Sequence, residues 1–300
     1  MKFNNEIKKE ISQIIINNDI ENLKKYLNNL IYSENKYLFL DYENKKLHPG
    51  TNEYNIIKFI HWLEISETKK DKINLNKKLP YSVFKIGNSK LPFLNFSVLP
   101  GVTCPGAGAC LKFCYSFKAW RYPGAFLGQC MNTLLMINNF NIIESELKKI
   151  LSRPKFKNME KIDFRLYVDG DFRNFQDIIN WMELFKRYPK LNSYGYSKSL
   201  NLFLQLHDEN FKFPKNYILN LSTGGVYDSL HPILEKLHFV RGSFQALNIS
   251  KKSKLKDIKK KINKKKVFLC PGLCGSCTKI GHACGNNTIF KNYSIVIPVH

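Results

Sequence analysis

The sequence has no run of about 18 apolar residues, so the usual pattern of a helical membrane span is missing. Its opening "MKFNNEIKKE" lacks the apolar core of a secretory signal and the arginine-rich, acid-poor character of a transit peptide. Arginine is scarce, six among 47 basic residues, and Asp and Glu together number only 24, which leaves a formal net charge of +23. Residues 1–78 offer no metal ligands at useful spacing and no glycine loop able to cradle a phosphate. These absences point to a soluble intracellular protein with no membrane partner, and they place any chemistry beyond residue 78.

The chain has 300 residues, 44% of them apolar, enough for a sizeable core. Residues 1–78 read as a helical extension. Ile7, Ile11, Ile14 and Ile15 form one stripe, "DIENLKKYLNNLIY" forms another that Asp19 can N-cap, and a third helix is predicted from Asn52 to about Glu67. The lysine-rich "ETKKDKINLNKK" reads as a connector to a second region, 79–300.

In that region short apolar strands alternate with helical patterns. "YSVFKI" and "FLNFSVL" flank a "GNSK" turn, and one helix is predicted from about Ala125 to Ile150. Then come "KIDFRLYV", "NSYGYSKS", "NYILNLS", "LHFVRGSF" and "KVFLC", separated by helical segments. Six strands with five intervening helical segments imply an α/β fold: a parallel strand-helix partial barrel of about six units, with a doubly wound open sheet as the alternative. In both, loops at the carboxyl ends of the strands share one face. The polar motifs fall there: Cys104 to Cys114 after the first strand, "DGD" at 169–171 after the second, "SKS" at 197–199, "STGG" at 222–225, "RGS" at 241–243, and Cys270 to Cys284 after the sixth.

A reducing compartment disfavours disulfides and turns clustered thiols into metal or redox groups. Cys130, in an apolar helical pattern, reads as a buried structural thiol. Cys270, Cys274, Cys277 and Cys284 are separated by three, two and six residues, with Gly272, Gly275 and Gly281 permitting tight turns. Four thiolates satisfy a tetrahedral zinc ion or a 4Fe-4S cluster, so ligand count does not choose; His282 stands close enough to replace Cys284. Cys104, Cys110 and Cys114 are three ligands that would leave one coordination position open, as a catalytic iron-sulfur cluster or zinc ion needs, and Phe113 and Tyr115 could shield it. The competing account is that some of these three complete the C-terminal site.

Asp169 and Asp171 could bind magnesium, act as a general base, or simply form a turn with Gly170. Ser197, Lys198 and Ser199 could bind an anion, and a Ser-Lys pair can serve as nucleophile and base. The segment Lys251 to Lys266 holds ten lysines and one Asp, with Leu255, Ile258 and Ile262 on one helical face. It is a candidate nucleic-acid contact; a compositional bias toward Lys and Asn accounts equally for the overall charge.

The run "TCPGAGACLKFCYSFKAWRYPGAFLGQCMNT", followed by "FRLYVDGDF", "YGYSKS" and a terminal cysteine group, resembles the gene product 88 family of phages and other mobile elements over roughly residues 80–285. That resemblance implies no particular reaction. The order of elements is also similar to the radical S-adenosylmethionine superfamily, with a three-cysteine loop after the first strand and a Gly- and acid-containing motif after the second. This second resemblance implies that Cys104, Cys110 and Cys114 hold a 4Fe-4S cluster whose fourth iron chelates S-adenosylmethionine, with Gly170 and Asp169 or Asp171 receiving its ammonium. The separations here are five then three, not three then two, whereas three then two occurs at Cys270, Cys274 and Cys277, read as an auxiliary site. Zinc at both clusters, with the lysine helix on nucleic acid in replication or packaging, is the alternative.

Overall fold

The computed structural model describes residues 3–65, 67–69, 72–74, 78–249 and 255–298. They form two compact units, the first from 1–84, 97–103 and 116–153, the second from 85–96, 104–115 and 154–300. Among the described residues no helix is long and apolar enough to cross a membrane.

The first unit contains α1 (Asn5–Ile16), α2 (Ile20–Glu34), α3 (Leu38–Glu43), α4 (Asn52–Glu64), α5 (Pro123–Asn138) and α6 (Phe140–Leu151), and β1 (Glu67–Lys69) paired antiparallel with β2 (Lys72–Asn74). Polar caps start the helices: Asn4, Asp19 and Thr51 accept from backbone N–H groups of the first turns of α1, α2 and α4. Of the predicted isoleucine stripe, Ile11 and Ile15 are fully buried. α5 is buried at every position from Phe126 to Met136, as a helix apolar on all sides should be. Cys130 lies at its centre, where burial pushes the thiol well up. The single helix predicted over 125–150 is two, because Asn139 leaves helical geometry at φ −147° and ψ 62°.

The second unit is built on a parallel sheet. Its elements are β3 (Leu94–Asn95), α7 (Pro154–Lys157), β4 (Ile162–Leu166), α8 (Phe175–Arg187), β5 (Leu191–Ser197), α9 (Leu200–Asp208), β6 (Tyr217–Ser222), α10 (His231–Leu234), β7 (Val240–Leu247), α11 (Leu255–Ile262), β8 (Val267–Leu269) and β9 (Ser294–Pro298). The order is β3-β4-β5-β6-β7-β9-β8, all parallel, and the sheet is open, since β3 and β8 are its two edges. The six predicted strands are therefore present, and a seventh, "SIVIP", inserts between the fifth and sixth. "YSVFKI" contributes only a bridge, Lys85 to Asn95.

Alternation along the strands sorts the side chains onto two unlike faces. Phe164 meets Trp181 and Phe185 of α8, Phe185 stacks on Tyr217, and Ile258 of α11 packs on Val267 and Val296, so this face is dry and helix-covered. The opposite face carries Arg165, Tyr194 and Ile218 in one register row, and Tyr196, Asn220 and Gly242 in the next. The 270–293 connection lies on these rows, through Cys274, Cys284, Phe290 and Tyr293.

The "RGS" motif does not follow the fifth strand but lies inside it. Leu219 pairs with Val240 and Asn220 with Gly242, so Arg241 is the extra residue of a β-bulge. Gly242 has φ +148°, and a Cβ there would stand 2.5 Å from the Tyr293 carbonyl oxygen. Gly242→Ala is expected to cost at least about 2 kcal/mol of unfolding free energy. Gly272→Ala, with φ +80° and open space around it, should cost less. Chemical denaturation of the two variants checks the order, and equal destabilisation would remove the case for packing at Gly242.

Candidate functional site

The cysteine loop owes its position to glycine. A Cβ on Gly106 would lie 1.9 Å from the Lys198 carbonyl oxygen, and one on Gly225 would lie 2.6 Å from the Gly106 carbonyl oxygen. At these two positions only glycine permits the backbones to approach. The contact is sealed by hydrogen bonds from Cys110 N–H to Gly224 O (3.2 Å) and from Val226 N–H to Gly106 O (3.0 Å). Farther along, the Tyr115 hydroxyl donates to Val168 O at 2.9 Å. The loop thus touches the residues just past β4, β5 and β6. Cys104, Cys110 and Cys114 stand half-buried at the same end of the sheet as Asp169, Gly170 and Asp171.

Asp171 is a clamp. Its Oδ1 accepts from Phe172 N–H (2.8 Å) and the Ser197 hydroxyl (2.7 Å), and its Oδ2 accepts from Lys198 N–H (2.8 Å). Burial nevertheless outweighs these bonds and leaves the carboxyl above its ordinary range. Lys198 Nζ donates to Ser222 Oγ at 2.6 Å, and Ser199 Oγ donates to Phe172 O. Lys198 therefore does not pair with Ser197 or Ser199, whose hydroxyls are spent on Asp171 and the Phe172 carbonyl; its amine meets the Ser222 hydroxyl instead. Asp169 stands half-buried near Tyr115.

Cys270 directly follows β8, and its connection folds back over the polar sheet face. All eight cysteines are thiols, not disulfides. Cys274 and Cys284 pack on Phe93, Tyr194 and Ile218, while Cys270, Cys277 and Cys284 pack on Ala283, Phe290 and Ile295. Backbone N–H groups already point at two sulfurs, Gly272 at Cys270 and Ala283 at Cys277, both at 3.4 Å. Burial pushes Cys284 up to about 11, against the lowering effect of Arg241 and of its hydrogen bond with Tyr196. Burial likewise raises Cys274, opposed by the positive charge of Arg165.

Two cations to which sequence reasoning gave no role stand near these thiols. Arg165 Nη2 donates to the Tyr115 hydroxyl (3.3 Å), its guanidinium lies 4.9 Å above the Tyr196 ring, and its Nε is buried without a hydrogen-bond partner. Arg241 is fully buried; it donates to Asn220 Oδ1 (2.5 Å), Tyr293 O (2.7 Å) and Ser243 O (2.7 Å). Scarcity was the available signal: two of only six arginines interrupt the apolar strands "FRLYV" and "FVRG".

Among the described residues no three His, Cys, Asp or Glu side chains already stand at metal-holding positions. The C-terminal donor set nonetheless fits a thiolate-bound metal in kind, with four thiols on one loop and N–H groups directed at two sulfurs. His282 does not fit as a substitute ligand. Its Nδ1 accepts from Gly285 N–H (3.1 Å) and its Nε2 faces Asp163 Oδ1 (3.2 Å), so both nitrogens are occupied. This pair lines a cavity of about 410 Å³ at the amino ends of the strands, with Lys161, Asn192 and Thr288.

Burial raises the Asp163 carboxyl, but hydrogen bonds from His282 and Asn192 more than offset it and hold the group below its ordinary value. A depressed carboxyl contributes stability above its unfolded value and loses it as pH falls through the folded value. Asp163→Asn is expected to cost about 1 kcal/mol at neutral pH. The difference from wild type should begin to shrink near roughly pH 4 and vanish only in stronger acid, below the folded carboxyl's depressed value. Denaturation at a series of pH values measures this, and a penalty that persists in acid would contradict it.

No curated protein and no solved structure matches the chain significantly. A family model does, over residues 63–271, which takes in the whole three-cysteine loop, the Asp171 clamp, both site arginines and Cys270. The chain belongs to the gene product 88 family.

Proposed function

We propose that this phage-family protein is an iron-sulfur protein acting as an enzyme of the radical S-adenosylmethionine type. The supporting observation is the Gly106 contact: it pins a three-cysteine loop over the carboxyl ends of an open parallel sheet whose other strand ends carry acids and hydroxyls. Cys104, Cys110 and Cys114 would hold one cluster; Cys270, Cys274, Cys277 and Cys284 would hold a second, structural one. When bound, the first cluster with its cofactor supplies one-electron chemistry at the mouth of the polar sheet face. The chain's own residues do the rest. Gly170, at φ +85°, with Asp169 would form the turn to hold the cofactor's ammonium, while Asp171 fixes that turn to the end of β5. Tyr115 and Phe113, both exposed, wall the loop, and Arg165 gives the face a fixed positive charge.

Protein purified without oxygen is expected to be brown and to carry iron and sulfide, about four irons for each cluster. Replacing Cys104, Cys110 and Cys114 by Ala should remove one cluster from a chain that stays folded, whereas replacing Cys270, Cys274 and Cys277 should chiefly lower stability. Colourless protein with stoichiometric zinc and no iron would defeat this reading.

One observation favours a second reading, a zinc-stabilised nucleic-acid-binding accessory. Every described lysine of 255–266 is exposed, and Lys264 alone among them reaches a carboxylate, Glu235. Ile258 and Ile262 anchor the helix; Leu255, expected to join them, is exposed, and residues 251–254 lie outside the described ones. If these lysines bind DNA phosphates, neutralising them should flatten the salt dependence of DNA binding by roughly one unit of slope for each phosphate no longer neutralised. An unchanged slope would leave the charge to composition.

A further inference from the structure

We infer that Arg165 and Arg241 are the counter-charges of a dianionic metal-thiolate centre formed by Cys270, Cys274, Cys277 and Cys284. This rests on the reading that these four cysteines hold a metal, and it adds which residues of the sheet make that centre stable.

Neither guanidinium has a carboxylate at ion-pair distance among the described residues. Arg241, fully buried, satisfies its hydrogen bonds on Asn220 Oδ1 and backbone carbonyls, which answers its donors but not its charge. Arg165 is half-buried, stacked on Tyr196 and hydrogen-bonded to the Tyr115 hydroxyl, with Nε unpartnered. Burying a charge without an opposite one is costly, and a guanidinium cannot escape by losing its proton. In a protein whose surface cation is lysine, placing two of six arginines here is a choice of the one cation that keeps its charge when desolvated.

The anions that answer them are the sulfurs. Arg165 stacks on Tyr196, which joins Cys274 and Cys284 in packing on Phe93, Tyr194 and Ile218, and the charges of Arg165 and Arg241 both bear on these thiols. Four neutral thiols balance nothing. When four protons leave and the thiolates take a divalent zinc ion or an oxidised four-iron core of charge two plus, two negative charges remain. Two guanidiniums match them. Asn220 ties the arrangement together, since its amide donates to the Cys284 carbonyl at 3.1 Å while its Oδ1 accepts from Arg241.

The test uses the full chain loaded with iron and sulfide or with zinc, then challenged with excess EDTA while metal per chain is followed in time. Arg165→Gln is expected to release metal at least about ten-fold faster than wild type, the size seen when outer partners of metal ligands are removed. Arg165→Lys, which keeps the charge, should stay close to the wild-type rate. With iron, Arg165→Gln should also shift the cluster's reduction potential to more negative values, a readout that a packing role alone would not move. Arg241→Gln should behave likewise, but it strips four hydrogen bonds and can fail to fold, so Arg165 decides. If wild type keeps its metal, Cys274→Ser loses it, and Arg165→Gln releases it at the wild-type rate with an unchanged potential, the counter-charge inference is overturned while the metal reading stands. If wild type and Cys274→Ser hold the same metal, or none, the metal reading fails and takes the inference with it.

Discussion

The contact of Gly106 with the end of β5 is what the rest of the site is hung on. It is a main-chain approach with no room for a single carbon atom, and it recurs where Gly225 faces Gly106. Side chains bend and re-pack, but two main chains joined by their own N–H and C=O groups hold a loop at fixed height. Three cysteines separated by five and three residues could point anywhere on a free loop; here their anchor points lie just past β5 and β6. The Asp171 clamp works on the same scale, fixing the turn after β4 to the end of β5 with two hydrogen bonds to one carboxylate, which a third from Phe172 N–H orients.

Much of this was legible in the sequence, for a physical reason. Parallel strands buried on both sides appear as short apolar runs, and helices between them show the 3.6-residue period, so the alternation and the polar residues at the strand ends could be read directly. What could not be read depended on partners distant in the chain. "SIVIP" is only five residues long, and nothing local says that it enters the sheet between two earlier strands. Arg241 looks like part of a strand-end loop until its neighbours show that the strand continues through a bulge. His282 looks like a ligand until Gly285 and Asp163 are seen to occupy both of its nitrogens.

The two kinds of basic residue in this chain divide the labour. Lysines line the exposed side of α11, where a hydrated ammonium costs nothing to keep. Two of the six arginines stand on the polar sheet face, one stacked on Tyr196 and one enclosed by carbonyl oxygens. The net charge is thus a surface property, and the face that holds the thiols is set by a few charges whose solvent has been removed.

The insertion of β9 has a consequence for how this molecule is made. β8 touches the sheet only through β9, so Cys270 has no fixed place until the strand that follows its own connection has docked. Residues 270–293 are a crossover between neighbouring parallel strands, yet they carry only a 3-10 turn at Ala283–Gly285 where a helix would normally supply rigidity. Such a segment brings little local order to its own folding and closes late, after the long-range pairing on either side of it. The four thiols therefore assemble at the last stage of folding, on a sheet face already formed, and anything that delays β9 leaves them reactive and exposed to oxidation for that interval.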